Sequence, residues 1–320
     1  MRAKGWMWLQ IAMWCLSCGH EQKIQEEIAG IPVRIALRRF DQDFAEAKPA
    51  ELQKLKTEYP YLFPARYADS VWVAKMRDTL QQALSEEVNK TFKSFEPERQ
   101  ELELFYQHVL YYFPRQKVPR VVTVTSDVDY NTRVILTDSL LLIELDNYLG
   151  SGHRFYRGID RYIAAGLDRK YLISDVASAF AKKINPTPSQ RTFLAQMIYY
   201  GKELYLKDRL LPFISDERKI GYSPEELAWA RANEEQIWRY FIERELLYST
   251  DQKLAPRFLD PAPFSKFGLN LDNESPGRLG RYMGWQIVRS FMDHNDLDLQ
   301  QLLNMPADEI FRKANYKPKK

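Results

Sequence analysis

The sequence predicts an α+β fold, mainly helical with a small mixed β-sheet. Two observations carry this. Three short β-branched or apolar runs, 118–125 (VPRVVTVT), 133–137 (RVILT) and 140–145 (LLLIEL), cluster in the middle of the chain. Before and after them lie long stretches with apolar residues at three- and four-residue steps, the period of a helix with one buried face. Composition agrees, since 45% hydrophobic and 28% charged residues make an ordinary globular mixture. With 13 Gly and 17 Pro in 320 residues, a collagen-like or linker-dominated chain is excluded. The net charge of +3 gives no global electrostatic case for nucleic acid, which is not expected as a partner.

The chain opens with an address. Arg2 and Lys4 precede an uncharged, mostly apolar stretch over 5–16, a signal-peptide pattern too short to span a bilayer. Leu16-Ser17-Cys18-Gly19 resembles the lipobox of bacterial lipoproteins, with Cys15 where a branched aliphatic residue usually stands. The resemblance implies cleavage before Cys18 and acylation of its thiol, palmitate being a typical chain. Residues 1–17 are therefore read as signal peptide and 18–31 as lipidated N-terminus and tether, with the membrane as partner through acyl chains on Cys18. Each buried methylene contributes about 0.8 kcal/mol, and two or three chains anchor stably where one does not. With Cys15 removed and Cys18 acylated, no free thiol remains for catalysis.

Residues 32–320 read as a single α+β domain, sheet-containing over 32–150 and helical over 151–320. Residues 31–40 alternate, with Val33, Ile35 and Leu37 on one face and Arg34 and Arg38 on the other, as in a half-buried strand. Over 67–95 the period turns helical, with Val73, Met76, Leu80, Leu84, Val88 and Phe92 near one stripe. Pro97 opens a second helix carrying Leu102, Phe105, Val109 and Phe113. Asp138-Ser139 fits a tight turn between the last two strands. Further helices are expected over 175–184, 189–210, 223–247, 276–292 and 306–314. Ser223-Pro224-Glu225-Glu226 is a capping box, and Ser275-Pro276 repeats the Ser-Pro start. Residues 251–273 have no clear period, yet Phe258, Phe264 and Phe267 argue for an ordered loop rather than a solvated linker.

The inventory of reactive groups is sparse. His20, His108, His153 and His294 are far apart, and no His-Glu-x-x-His, Gly-x-Ser-x-Gly or P-loop pattern exists. Gly150-Ser151-Gly152 starts like a dinucleotide fingerprint, but Phe155 replaces the third glycine. His108 reads as a half-buried packing residue, and Glu234-Glu235 as a solvated helix face. No metal, no cofactor and no catalytic residue is expected.

Two segments are more specific. The first is QMIYYGKELYL over 196–206, continued by IGY at 220–222 and NEEQIWRYF at 233–241. The second is APFSKF at 262–267, leading into DNESPGRLGRYMGWQIVR at 272–289. With the lipobox they resemble the GldB family of gliding-motility lipoproteins of Bacteroidetes, across essentially the whole mature chain. The resemblance implies a cell-envelope lipoprotein needed for gliding and linked to type IX secretion, with other gliding or secretion envelope proteins as partners. It brings no catalytic residues.

The order strand, helices, hairpin, helix also resembles zincin metallopeptidases. Placing 196–200 on their zinc helix puts Gln196 and Tyr200 where the histidines belong and Met197 where the glutamate belongs. Such a zincin-like scaffold would have lost its metal site, because these side chains hold zinc poorly and Met accepts no proton from water.

Gly277, Gly280 and Gly284 share one face of the last long helix, and each costs about 1 kcal/mol relative to Ala. A close neighbour is implied, either a helix or a binding groove. Trp285 reads as core, with a binding platform as the alternative. Asn273 and Glu274 would cap the helix or hold a partner's backbone or a cation. Asn273, Glu274, Gly277, Gly280, Gly284 and Trp285 together form the candidate groove or partner surface. Arg278 and Arg281 are placed on a solvated face, with contact to an acidic partner as the alternative.

The expected function is that of a lipid-anchored accessory protein facing the periplasm and acting through protein contacts. The alternatives are an envelope metallopeptidase-like hydrolase with ligands gathered from distant residues, and a peptide- or glycan-binding lipoprotein. Cys18→Ser should move the protein from the membrane pellet to the soluble fraction, read by fractionation and immunoblot. Unchanged partition would defeat the lipid anchor.

Overall fold

The structure, a computed structural model, describes residues 22–268 and 272–319. The expected signal peptide and Cys18 lie outside the described residues. The chain is helical over 22–29 (α1), with Ile28 buried. An extended run follows, pinned where the Ile35 amide donates to the Glu103 carboxylate at 3.1 Å. The alternation expected here is kept: Ile35 is buried while Arg34 and Arg38 are exposed. Only Leu37–Arg38 (β1) pairs as a strand, however, opposite Val121 and Val122.

The sheet is completed by β2 (Arg120–Val124), β3 (Val134–Leu136) and β4 (Leu140–Glu144), in the order β1-β2-β4-β3. The first three neighbours are parallel, with Leu37 opposite Val121 and Val121 opposite Leu141. β3 runs antiparallel to β4, with Ile135 opposite Leu142, and forms one edge. The small mixed sheet is therefore as expected. Its faces differ by the period of two. Val121, Leu141 and Ile143 enter the main core, whereas Val122 faces a smaller core under α2 (Phe40–Glu46), α3 (Leu52–Glu58) and α4 (Asp69–Arg77).

Helix breaks correct two expected spans. The stretch 67–95 divides at Asp78, which is extended and accepts from the Gln81 amide at 2.8 Å, capping α5 (Thr79–Thr91). The new helix resets the register, and Leu80 ends up 65% exposed rather than in the stripe. The helix opened by Pro97 is α6 (Glu96–Tyr112), as expected. The helical half continues with α7 (Arg161–Ala164), α8 (Leu172–Ile184), α9 (Phe193–Leu210) and α10 (Asp216–Ile220). The span 223–247 is two helices, α11 (Pro224–Ala232) and α12 (Glu234–Glu243), parted at Asn233. The capping box forms: Ser223 Oγ accepts from the Glu226 amide at 3.1 Å, and the Glu226 carboxylate accepts from the Ser223 amide at 2.7 Å.

The second Ser-Pro start does not form a helix. The Ser275 hydroxyl donates to the carbonyls of Ser265 and Asp272 instead of accepting from an amide. Arg278 then takes a left-handed conformation (φ 60°), so α14 (Leu279–His294) begins later than expected. Within the described part of the loop before it, the short α13 (Leu254–Phe258) forms, Phe258 is buried and Phe267 packs against the core. After α14 come α15 (Leu299–Asn304) and α16 (Ala307–Ala314). One apolar core runs from Ile35 to Ala314 and joins the sheet to the helices. Among the described residues no helix is long and apolar enough to cross a membrane.

At the centre α9 and α14 touch backbone to backbone. A Cβ on Gly284 would stand 1.9 Å from the Met197 carbonyl oxygen, and one on Gly201 2.3 Å from that of Gly284. Gly280 is pressed against Phe193 and Leu259, whereas Gly277 lies before the helix, 2.3 Å by the same measure from the Ala262 carbonyl. The glycines thus serve chain packing. Neither Met197 nor Gly284 can recede without moving its helix, so Gly284→Ala should cost about 2 kcal/mol or more. Urea unfolding of the variant checks this; an unchanged midpoint would contradict the contact.

Candidate functional site

It is α8 that packs along the edge strand β3. Helix α8 presents Ser174, Asp175 and Ser178; α9 presents Tyr199, Glu203 and Lys207, one stripe at four-residue steps. Between them runs a polar seam. The Ser178 hydroxyl donates to the Glu203 carboxylate at 2.8 Å. The Lys207 ammonium donates to Ser174 Oγ at 3.0 Å and to the Lys219 carbonyl at 2.9 Å, with Glu203 3.9 Å away. Asp175 accepts from the Tyr148 hydroxyl at 2.9 Å and pairs with Arg133 of the hairpin at 3.0 Å. Lys207 is only 4% exposed, and burial brings its ammonium down to about 8. The nearby Glu203 opposes that shift, while the positive charges of Arg278 and Arg281 add to it.

Arg278 and Arg281 are not on a solvated face. Both are half-buried at the start of α14. Arg278 lies over the Tyr222 ring at 5.3 Å and donates from Nη2 to the Gly221 carbonyl at 2.7 Å. Arg281 stacks on Tyr200 at 3.8 Å and donates from Nε to the Leu259 carbonyl. Burial and the charge of Arg281 hold the Arg278 guanidinium below its usual range.

The remaining buried charges brace the helices. Asp208 of α9 accepts from both Nε and Nη2 of Arg289 at 2.7 Å, from Lys219 at 3.0 Å and from the Trp285 indole at 2.8 Å. Glu234, expected on a solvated face, is 2% exposed. It accepts from the hydroxyls of Tyr282 and Tyr316, each at 2.8 Å, and from the Lys319 amide at 3.0 Å. His108 is buried more deeply than expected, at 4% exposure, and its Nδ1 lies 2.9 Å from the Leu104 carbonyl.

The residues singled out from the sequence fall elsewhere. Gln196 donates to the Arg191 carbonyl, Met197 is buried beneath Gly284, and Tyr200 lies under Arg281. Those three sit on α9, whereas α8 is the helix that follows the hairpin and packs on β3. Nor do the six groove residues form one surface. Asn273 and Glu274 are exposed, while Gly284 and Trp285 are inside the α9–α14 contact, Trp285 at 0% exposure.

A zinc helix needs two ligands at i and i+4 with a carboxylate base after the first. On α8 that pattern is held by Ser174, Asp175 and Ser178. Serine hydroxyls are weak zinc ligands, and the Lys207 ammonium already sits against Ser174, so a second cation would meet direct repulsion. The seam is chemically self-sufficient, because a tethered ammonium and a serine hydroxyl engage its acceptors. Sequence reasoning missed it, although one signal was present: Glu203 and Lys207 stand four apart in an otherwise apolar stretch.

Comparison with known proteins gives one finding: a family model described as gliding motility protein GldB matches residues 21–318. No curated protein and no solved structure matches.

Lys207 has a pH signature. Its folded-state value of about 8 lies below the ordinary 10.5, so between them the folded chain binds fewer protons than the unfolded chain. Stability from this group therefore rises with pH across that window, by at most about 3 kcal/mol. Lys202, also brought down to about 8 by burial, titrates alike in wild type and variant. The stability difference between wild type and Lys207→Met should shift toward wild type from pH 8 to pH 10 in urea titrations; a pH-independent difference would contradict the buried ammonium.

Proposed function

The chain belongs to the GldB family of gliding motility proteins, and from that premise we propose that it is a lipid-anchored envelope accessory of gliding. In this reading it is linked to type IX secretion, faces the periplasm and acts through protein contacts without catalysing a reaction. The observation that carries the non-catalytic part is the Lys207 ammonium held between Ser174 and Glu203. A hydrolase built on α8 and α9 would need a cation and an activated water there, and a fixed positive charge occupies that position instead.

Contact through the surface is supported by large apolar side chains left in solvent around α4, with Tyr61, Tyr67 and Val71 at 41%, 43% and 48% exposure. Such groups cluster where partners dock. Chemistry on a bound peptide would instead require groups with free hydrogen-bonding capacity near a base, and Glu203 and Asp175 are both engaged.

Two measurements test the reading. Metal analysis of the purified mature chain should give zinc well below one equivalent, and crosslinking in the native envelope should capture other envelope proteins. One equivalent of zinc, together with peptide hydrolysis that stops on chelation, would replace this reading with the metallopeptidase one.

A further inference from the structure

The charges of the seam balance except in one place. Arg133 has Asp175, and Lys207 has Glu203. Arg278 and Arg281 have no carboxylate within ion-pair distance among the described residues. Glu226, whose charge favours the Arg278 cation from beyond ion-pair distance, is engaged with the Ser223 amide. A guanidinium carries five N–H donors, and each of these two donates one hydrogen bond to protein, to the carbonyls of Gly221 and Leu259.

Their position compounds the imbalance. Arg278 is the N-cap and Arg281 lies in the first turn of a helix of 16 residues, the end that carries partial positive charge and disfavours cations. The Arg278 side chain does not cap that end; the Ser265 hydroxyl accepts from the Leu279 amide at 3.3 Å. Arg278 moreover adopts φ 60°, which a long side chain rarely takes. The two guanidiniums repel each other, and both repel Lys207 behind them. Half-buried cations with spare donors, set at the positive end of a helix and within the electrostatic reach of a third cation, are costly unless an anion joins them.

We propose that Arg278 and Arg281, at the start of α14, form a binding site for an oxyanion, a carboxylate or phosphate group carried by a small ligand. Planar guanidinium forks match both oxyanions through paired N–H donors. Tyr222 and Tyr200 lie under the two forks and fix their planes, which reduces the ordering cost when a ligand arrives. Half-burial strengthens each charged hydrogen bond relative to open water while leaving the groups reachable. The site does not depend on the gliding role, and it would stand even if the envelope partner were different.

The test uses the mature chain at low ionic strength, where screening is weak. Calorimetry is run with inorganic phosphate, with a short peptide bearing a free C-terminal carboxylate, and with the same peptide amidated. Saturable binding at one site per chain is expected. Arg281→Gln and Arg278→Gln should each weaken it at least about tenfold, while Arg231→Gln, on α11 and paired with Asp216, should not. Binding of the free but not the amidated peptide identifies a carboxylate source; binding of phosphate alone identifies a phosphate source. A thermal shift supplies an independent readout: the binding probe should raise the melting temperature of wild type but not of Arg281→Gln. Should Arg278→Gln fail to fold, Arg281→Gln decides. Absence of saturable binding with every probe, or undiminished affinity in the folded variants, would overturn the site.

Discussion

The contact of α9 with α14 through Gly201 and Gly284 sets the geometry of the whole helical half. With no Cβ on either side, the carbonyl of Met197 sits where a side chain would otherwise be. Helices this close bring the flanking side chains of one into range of the other. Trp285 and Arg289 reach Asp208, and Arg281 reaches the ring of Tyr200. Two glycines each cost helix stability, by about 1 kcal/mol. That cost is offset by what the approach permits, namely burial of Trp285, Met283 and Phe291 at 0% exposure and a carboxylate shared by three donor side chains.

The buried charges divide into two kinds. Asp208, Asp216, Arg289 and Lys219, joined by Arg231 at the rim, form a network in which every group meets an opposite charge. Glu234 is likewise satisfied by two phenols and an amide. Desolvation of such groups is compensated locally, and removing one partner would leave the others stranded. The start of α14 is the other kind, where the positive charges of Arg278 and Arg281 are softened by aromatic faces and single carbonyls only. An aromatic face contributes less than a carboxylate at the same distance, so the two regions differ in electrostatic balance although α14 takes part in both.

How much of this was legible in the sequence follows from the range of the forces involved. The strands β2 to β4, the hairpin at Asp138-Ser139 and the Ser223 capping box are local features, encoded by neighbours in the chain, and they were readable. Asp78 and Asn233 broke expected helices because a capping or turn residue inside a periodic stretch leaves the apolar period almost intact. Ser275 was misread because its hydroxyl can either accept from a helix amide or donate to a loop carbonyl, and only the fold of 260–275 decides. Glu234 and the Arg278–Arg281 pair look like surface charges in one dimension. Their burial depends on Tyr282, Tyr316, Tyr200 and Tyr222, which are distant in sequence or on another helix. The family segments, by contrast, were readable as whole motifs, and among their residues are Gly201 and Gly284 of the α9–α14 contact.

The seam of α8 and α9 also limits what kind of ligand this region can hold. A lysine tethered to α9 brings its charge without a binding equilibrium, so Ser174, Ser178 and Glu203 are satisfied whether or not anything else is present. Its ammonium is desolvated, which makes it expensive, yet the same desolvation extends its field toward Arg278 and Arg281. A free cation approaching this side of α14 meets three positive charges, and a neutral group finds acceptors that are already engaged. An anion finds unspent donors on two guanidiniums and a field from a third group that favours it. A fixed ammonium among engaged acceptors therefore favours negative over positive charge in the space beside it.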